Sequence, residues 1–152
     1  MQPTQNPVSE AVRVATAARL NARLVQLLDL AAVAWTAHWN VRGVAYEELH
    51  KRFGKVVDDV HEAVDRVAEM SRQLGGEPVA MMSATPALQP GASNGAAYLG
   101  VVIGAVVKLL AALRADIVAV AADLIAENLL IEVATTFQAH LAHMEASRAG
   151  YV

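Results

Sequence analysis

At 152 residues the chain has the length of one ordinary domain and is long enough to bury a sizeable core. Apolar residues make up 55%, above a usual roughly 45–50% that also counts glycine, so much of this surface must be packed inside the chain or inside an assembly. The absence of cysteine excludes disulfides and thiolate metal sites, and a formal charge of −3 with only three lysines (Lys51, Lys55, Lys108) offers little to a polyanion.

Residues 1–8 hold no basic residue and no apolar core, which does not fit a signal peptide; they are expected as a short flexible segment ahead of one domain over 9–149. Ser9 is a plausible N-cap with Glu10 in the first turn, and apolar residues then recur at Val12, Leu20, Leu24, Leu27, Leu28, Ala31 and Trp35, a helical period. Asn40 and Gly43 mark a tight turn. A second helix is predicted from about Ala45 to Leu74, with Leu49, Phe53, Val56, Val57, Val60, Val64 and Val67 along one side and Gly75-Gly76 ending it.

Residues 77–94, with Pro78, Pro86, Pro90 and Gly91, form a connection longer than helix–helix loops usually are, with room for one short helix. A third helix is predicted from Asn94 or Ala96 to near Ala126. Lys108, Arg114, Asp116 and Asp123 interrupt its apolar run, whereas a membrane span wants about 20 uncharged apolar residues; the helix is expected to be buried by protein, with no membrane. Asn128 is the predicted cap of a fourth helix carrying Leu130, Val133, Phe137, Leu141 and Met144. Strand-like alternation is missing. Helices of about 20–30 residues, two short turns and one long connection describe an all-α fold, a ferritin-like four-helix bundle with a long crossover between helices 2 and 3.

The chemistry concentrates between His38 and Glu69. His38 and His50 are nitrogen ligands, and Asp65 and Glu69 are hard oxygen ligands one helical turn apart; the mixture suits a redox-active first-row metal such as iron better than zinc or calcium. On one helix, His50 and Asp65 lie about 22 Å apart at 1.5 Å per residue, too far for one ion. These four residues can share a metal only between two chains, with two antiparallel copies of the helix meeting across a two-fold axis.

The run His38-Trp39-Asn40, Gly43, Tyr46, Leu49-His50, Asp65, Ala68-Glu69 and Gln73-Leu74-Gly75-Gly76 resembles the Dps family, the mini-ferritins or DNA-binding proteins from starved cells. The dense likeness covers about forty residues. It implies a cytoplasmic homo-dodecamer built from two-fold dimers, a hollow shell. Such a shell acts as a ferroxidase: Fe(II) is bound and oxidised at the dimer interfaces, by hydrogen peroxide in preference to dioxygen, and iron is stored inside as Fe(III), protecting against oxidative damage. The site residues it implies are His38 and His50 of one subunit and Asp65 and Glu69 of its mate, for both metal binding and catalysis. Trp39 would lie beside the metal, where an aromatic ring intercepts stray oxidising equivalents, or fill the corner between helices 1 and 2.

Two departures stand out. Many family members carry an aspartate four residues after the second histidine, where this chain has Gly54; loss of such a partner costs about 10–100-fold in affinity or activity, and Asp58 is a partial substitute. Lysine-rich tails are missing from the residues before Ser9 and from Arg148–Val152, and twelve copies would carry about −36, so DNA binding is expected to be weak or absent. The alternative reading is a Dps-like nucleoid-associated, DNA-protecting or shell-forming protein with weak ferroxidase activity. A di-iron site inside one bundle, using Asp58, His61 and Asp65, is a further alternative, for which the last helix lacks the usual Glu-x-x-His. His140 and His143 are expected to be solvated, and Asp123 and Glu127 are candidates for a cation-drawing pore or plain helix-end residues.

Overall fold

The computed structural model describes residues 1–81 and 95–148. They form four helices, α1 (Glu10–Asn40), α2 (Tyr46–Gln73), α3 (Gly95–Ala119) and α4 (Leu124–Arg148). Among the described residues there is no strand.

The α1–α2 pair is a helical hairpin. Gly43 takes φ +102°, a left-handed angle that glycine adopts freely, and its carbonyl accepts the Tyr46 amide at 3.0 Å. At the far end of α2, Gly75 has φ +85° and donates its amide to the Arg72 carbonyl at 2.9 Å. The N-terminal segment lies against this end: the Gln2 amide donates to the Gly75 carbonyl at 2.6 Å, its side chain donates to Glu77 at 2.8 Å, and Arg13 reaches the Leu74 carbonyl at 3.1 Å.

The second hairpin, α3–α4, begins at the opposite end. A Cβ on Gly95 would come within 2.6 Å of Leu49 and 3.7 Å of Val41, so α3 starts beside the α1–α2 turn, where α2 also starts. The chain between α2 and α3 therefore returns the length of a 28-residue helix, about 42 Å. This is the long crossover, and it makes α2 and α3 parallel. The short helix considered within it falls on residues 82–94, outside the described residues.

The helix faces meet in one core in which Leu20, Leu27, Phe53, Val57, Leu99, Leu113, Leu130 and Phe137 are buried. Each such side chain contributes about 1.5–3 kcal/mol on leaving water. By length and composition α3 is apolar enough to cross a membrane, but Tyr98, Leu99, Val102, Val106, Leu109 and Leu113 are buried within the bundle. Near its end, buried Asp116 pairs with Arg19 at 2.8 Å and Arg23 at 3.1 Å, both on α1. The outer face of α3 remains uncovered in one chain, with Val107 and Val118 exposed.

The α3–α4 junction differs from the sequence reading. Helix α3 ends at Ala119, not near Ala126, and the cap of α4 is Asp123, not Asn128. One carboxylate oxygen of Asp123 accepts the amides of Ile125 and Ala126 at 3.2 Å each, satisfying donors that a helix start leaves unpaired. Asn128, one turn into α4, instead donates its side-chain amide to Glu132 at 2.8 Å. Apolar residues flank Asp123 closely on both sides, so hydropathy carries little mark of the break.

Candidate metal centre

His38 lies in the last turn of α1 and His50 in the second turn of α2, facing each other across the hairpin. Their rings stack with centroids 3.7 Å apart and planes 23° from parallel. Each ring also reaches the other residue's backbone. His38 Nδ1 donates to the His50 carbonyl at 2.8 Å, and His50 Nδ1 donates to the His38 carbonyl at 2.9 Å.

Helix ends explain half of this exchange. The last carbonyls of α1 have no amide a turn ahead to receive from, and the His38 carbonyl is one of them. His50 supplies the missing donor, a bond contributing about 1 kcal/mol net. A carbonyl only accepts, so Nδ1 carries the hydrogen in both rings, and each neutral imidazole keeps its lone pair on Nε2. Histidines that bind metals ordinarily have their second nitrogen tied to a carbonyl or carboxylate in this way.

Aromatic rings frame the pair. Trp35 meets His38 edge-on at 5.4 Å, and Tyr46 lies 5.2 Å from His50. Trp39 is 67% exposed and stacks on Trp35 at 5.0 Å, so it does not fill the helix corner. Gly54 sits directly under His38: a Cβ there would lie 3.2 Å from His38 Cε1 and 3.3 Å from Nδ1.

Asp65 and Glu69 both lie exposed on α2, fifteen and nineteen residues beyond His50. Thus one chain brings the two histidines together and leaves the two carboxylates about 22 and 28 Å further along the same helix. Among the described residues of one chain, no group of three His, Asp or Glu side chains is gathered to hold an ion. Asp58 and His61 are also exposed.

His140 corrects the sequence reading. It was expected to be solvated, yet it is 8% exposed, and its Nε2 donates to Asp59 at 2.7 Å, joining α4 to α2; His143 is exposed. Lys55 donates to the other Asp59 oxygen at 2.6 Å. Burial acts to raise the Asp59 pKa, but the hydrogen bonds from Lys55 and His140 outweigh it and hold the carboxyl below its usual range. A cavity of about 60 Å³ beside the pair is lined by Asp59, Glu62, Ala63, Arg66, Val133 and Thr136. It has water-sized room. The residues considered for a di-iron site inside one bundle, Asp58, His61 and Asp65, are instead all exposed in the single chain. Neither His140 nor Asp59 carried a sequence signal, because their partnership spans 81 residues. Asp123, considered for a pore, is 5% exposed and engaged as the α4 cap.

The ferritin-like domain profile matches residues 17–148, and the chain belongs to that family. The Fine tangled pili major subunit of Haemophilus ducreyi is 37% identical over 59 residues, covering 39% of this chain and 31% of that protein. The DNA protection during starvation protein of Halobacterium salinarum is 36% identical over 59 residues, covering 39% of this chain and 32% of that protein. The matches thus span about a third of the length of these two curated relatives. The solved structure of Dps from Microbacterium arborescens in the high iron form superposes with a TM-score of 0.85 at 23% identity, over 96% of this chain and 98% of that one. In short stretches of sequence and in overall fold, the chain is similar to DNA protection during starvation and Dps proteins.

Proposed function

We propose that the protein is an iron-binding mini-ferritin whose ferroxidase sites lie between subunits of a homo-dodecamer, with His38 and His50 of one chain facing Asp65 and Glu69 of the next. The observation carrying this reading is the reciprocal His38–His50 arrangement, which leaves two imidazole Nε2 lone pairs without a hydrogen-bond partner among the described residues, while the complementary carboxylates stand exposed beyond the reach of the same chain. Fe(II) is the substrate. Two neutral imidazoles hold it, and two ionised carboxylates offset its charge and favour the ferric state, so that an electron leaves readily. Hydrogen peroxide accepts two such electrons with two protons and becomes two waters; dioxygen is the slower oxidant. The Fe(III) product passes into the shell for storage, and consuming peroxide at a fixed site limits oxidative damage in the cytoplasm.

Stopped-flow oxidation of Fe(II) by peroxide tests this. His50→Ala and Asp65→Ala are each expected to slow the reaction by at least about 10-fold, and wild-type rates in both would place the chemistry elsewhere. Mass in solution supplies the assembly test, with the shell expected at about twelve times 16.1 kDa.

A further inference from the structure

At about 3.6 residues per turn, His50, Asp58, His61, Asp65 and Glu69 fall within about 100° of arc on α2, and Asp58 and His61 straddle its middle. Asp58, His61, Asp65 and Glu69 are exposed, while Leu49, Phe53, Val56, Val60 and Val67 are buried on the other side of the helix. The proposed ferroxidase site sets a register for two such helices. With His50 of one chain opposite Asp65 and Glu69 of a second, antiparallel across a two-fold axis, the axis crosses α2 between residues 58 and 59. Asp58 then lies about 1 Å and His61 about 4 Å from the axis, measured along the helix. Each of them meets its own copy there.

Two carboxylates brought face to face repel, and the arrangement calls for a positive charge between them. The basic side chains of α2 on either side are engaged within their own chain: Lys51 with Glu47, Arg52 with Glu48, Lys55 with Asp59, and Arg66 with Glu132. Neither Asp58 nor His61 makes a hydrogen bond or ion pair among the described residues. Asp58-x-x-His61 sets an oxygen donor and a nitrogen donor three residues apart, a spacing at which one helix offers two ligands to one ion. We propose that Asp58 and His61 of two subunits hold one divalent metal ion on the two-fold axis, a structural site separate from the two ferroxidase sites that flank it. Two carboxylates and two imidazoles suit tetrahedral Zn(II), and with all four positions filled by protein no place is left for an oxidant. The ion neutralises the opposed carboxylates and ties one α2 to the other. A single chain supplies half of the set, in keeping with the lack of any three-ligand group among its described residues.

The inference rests on the register of the proposed ferroxidase site, and the experiment separates the two. Full chains are titrated with Co(II), a spectroscopic stand-in for Zn(II). A double variant, His50→Ala with Asp65→Ala, lacks ferroxidase ligands and is expected to keep one Co(II) per two chains, with the strong visible absorption of tetrahedral cobalt. Adding His61→Ala is expected to abolish that binding. His61→Cys in the same background is expected to retain it with a thiolate-to-cobalt band, which nothing else can supply because the chain has no cysteine. If mass in solution shows the double variant to be monomeric, the count is made on wild type, as the one Co(II) per two chains that His61→Ala removes. His61→Ala alone is expected to oxidise Fe(II) at the wild-type rate and to lose the rise in melting temperature that Zn(II) gives wild type. Binding that survives His61→Ala, no such binding at all, or a His61→Cys chain without the thiolate band would overturn the axial site. Iron oxidation lost in His50→Ala would then leave the ferroxidase reading standing. An axial cobalt site beside iron oxidation that ignores both His50→Ala and Asp65→Ala would overturn the ferroxidase reading alone.

Discussion

Across the α2–α4 boundary His140 donates its Nε2–H to Asp59 at 2.7 Å, in a position where the histidine is 8% exposed. This bond joins the two helices alongside the exposed Arg66–Glu132 and Ser147–Glu48 contacts. Replacing Asp59 by Asn leaves His140 without its ionised acceptor and Lys55 without its counter-charge. The expected loss is about 1–3 kcal/mol, since Lys55 can turn to solvent while buried His140 cannot. The pH dependence follows from the sign of the shift. Asp59 has a folded pKa below its unfolded value, so its contribution is present above about pH 4 and is lost as pH falls through the lower folded value. Thermal melts between pH 7 and pH 3 should show the gap between wild type and Asp59→Asn narrowing toward the acid end.

A site divided between chains permits complementation. In a mixed dimer of His50→Ala and Asp65→Ala subunits, one interface site carries both lesions and the other carries neither. Co-assembly of two poorly active variants should therefore restore peroxide-dependent iron oxidation, to about a quarter of wild type for random pairing, because half of the dimers are mixed and each has one of two sites intact. Stopped-flow rates before and after unfolding and co-refolding the mixture measure this. A site contained in one chain predicts no recovery at all.

DNA offers a third test. Phosphate contacts by lysine and arginine supply non-specific affinity, and the exposed face of α2 instead carries Asp58, Glu62, Asp65 and Glu69. Gel-shift at about 0.15 M salt is expected to show no retardation of linear duplex. Retardation that persists there would favour the nucleoid-protecting reading.

The long apolar period of α2 and the glycines that end it made that helix legible to within a residue at each end, and the long connection between α2 and α3 announced a crossover. The α3–α4 break was not legible, because a single buried aspartate makes it while alanine, valine and leucine continue on both sides. At the candidate metal centre, the separation of His50 from Asp65 and Glu69 along one helix was readable, since helical rise alone carries that distance. The exchange of hydrogen bonds between His38 and His50 was not, because it depends on how closely two helices cross. The burial of His140 escaped for the same reason: in an alanine-rich helix the inward face has little contrast with the outward one.

The imidazole pair closes across a hairpin whose turn is only five residues long, Val41–Ala45. Contacts so local cost less loop-closure entropy than those that wait on the long connection to α3. Under the proposed function, a single chain offers ferrous ion two nitrogens and gains the oxygen donors when it meets a second copy. Loading is then sensitive to protein concentration, and dilute subunits are spared from generating ferric product in open solution.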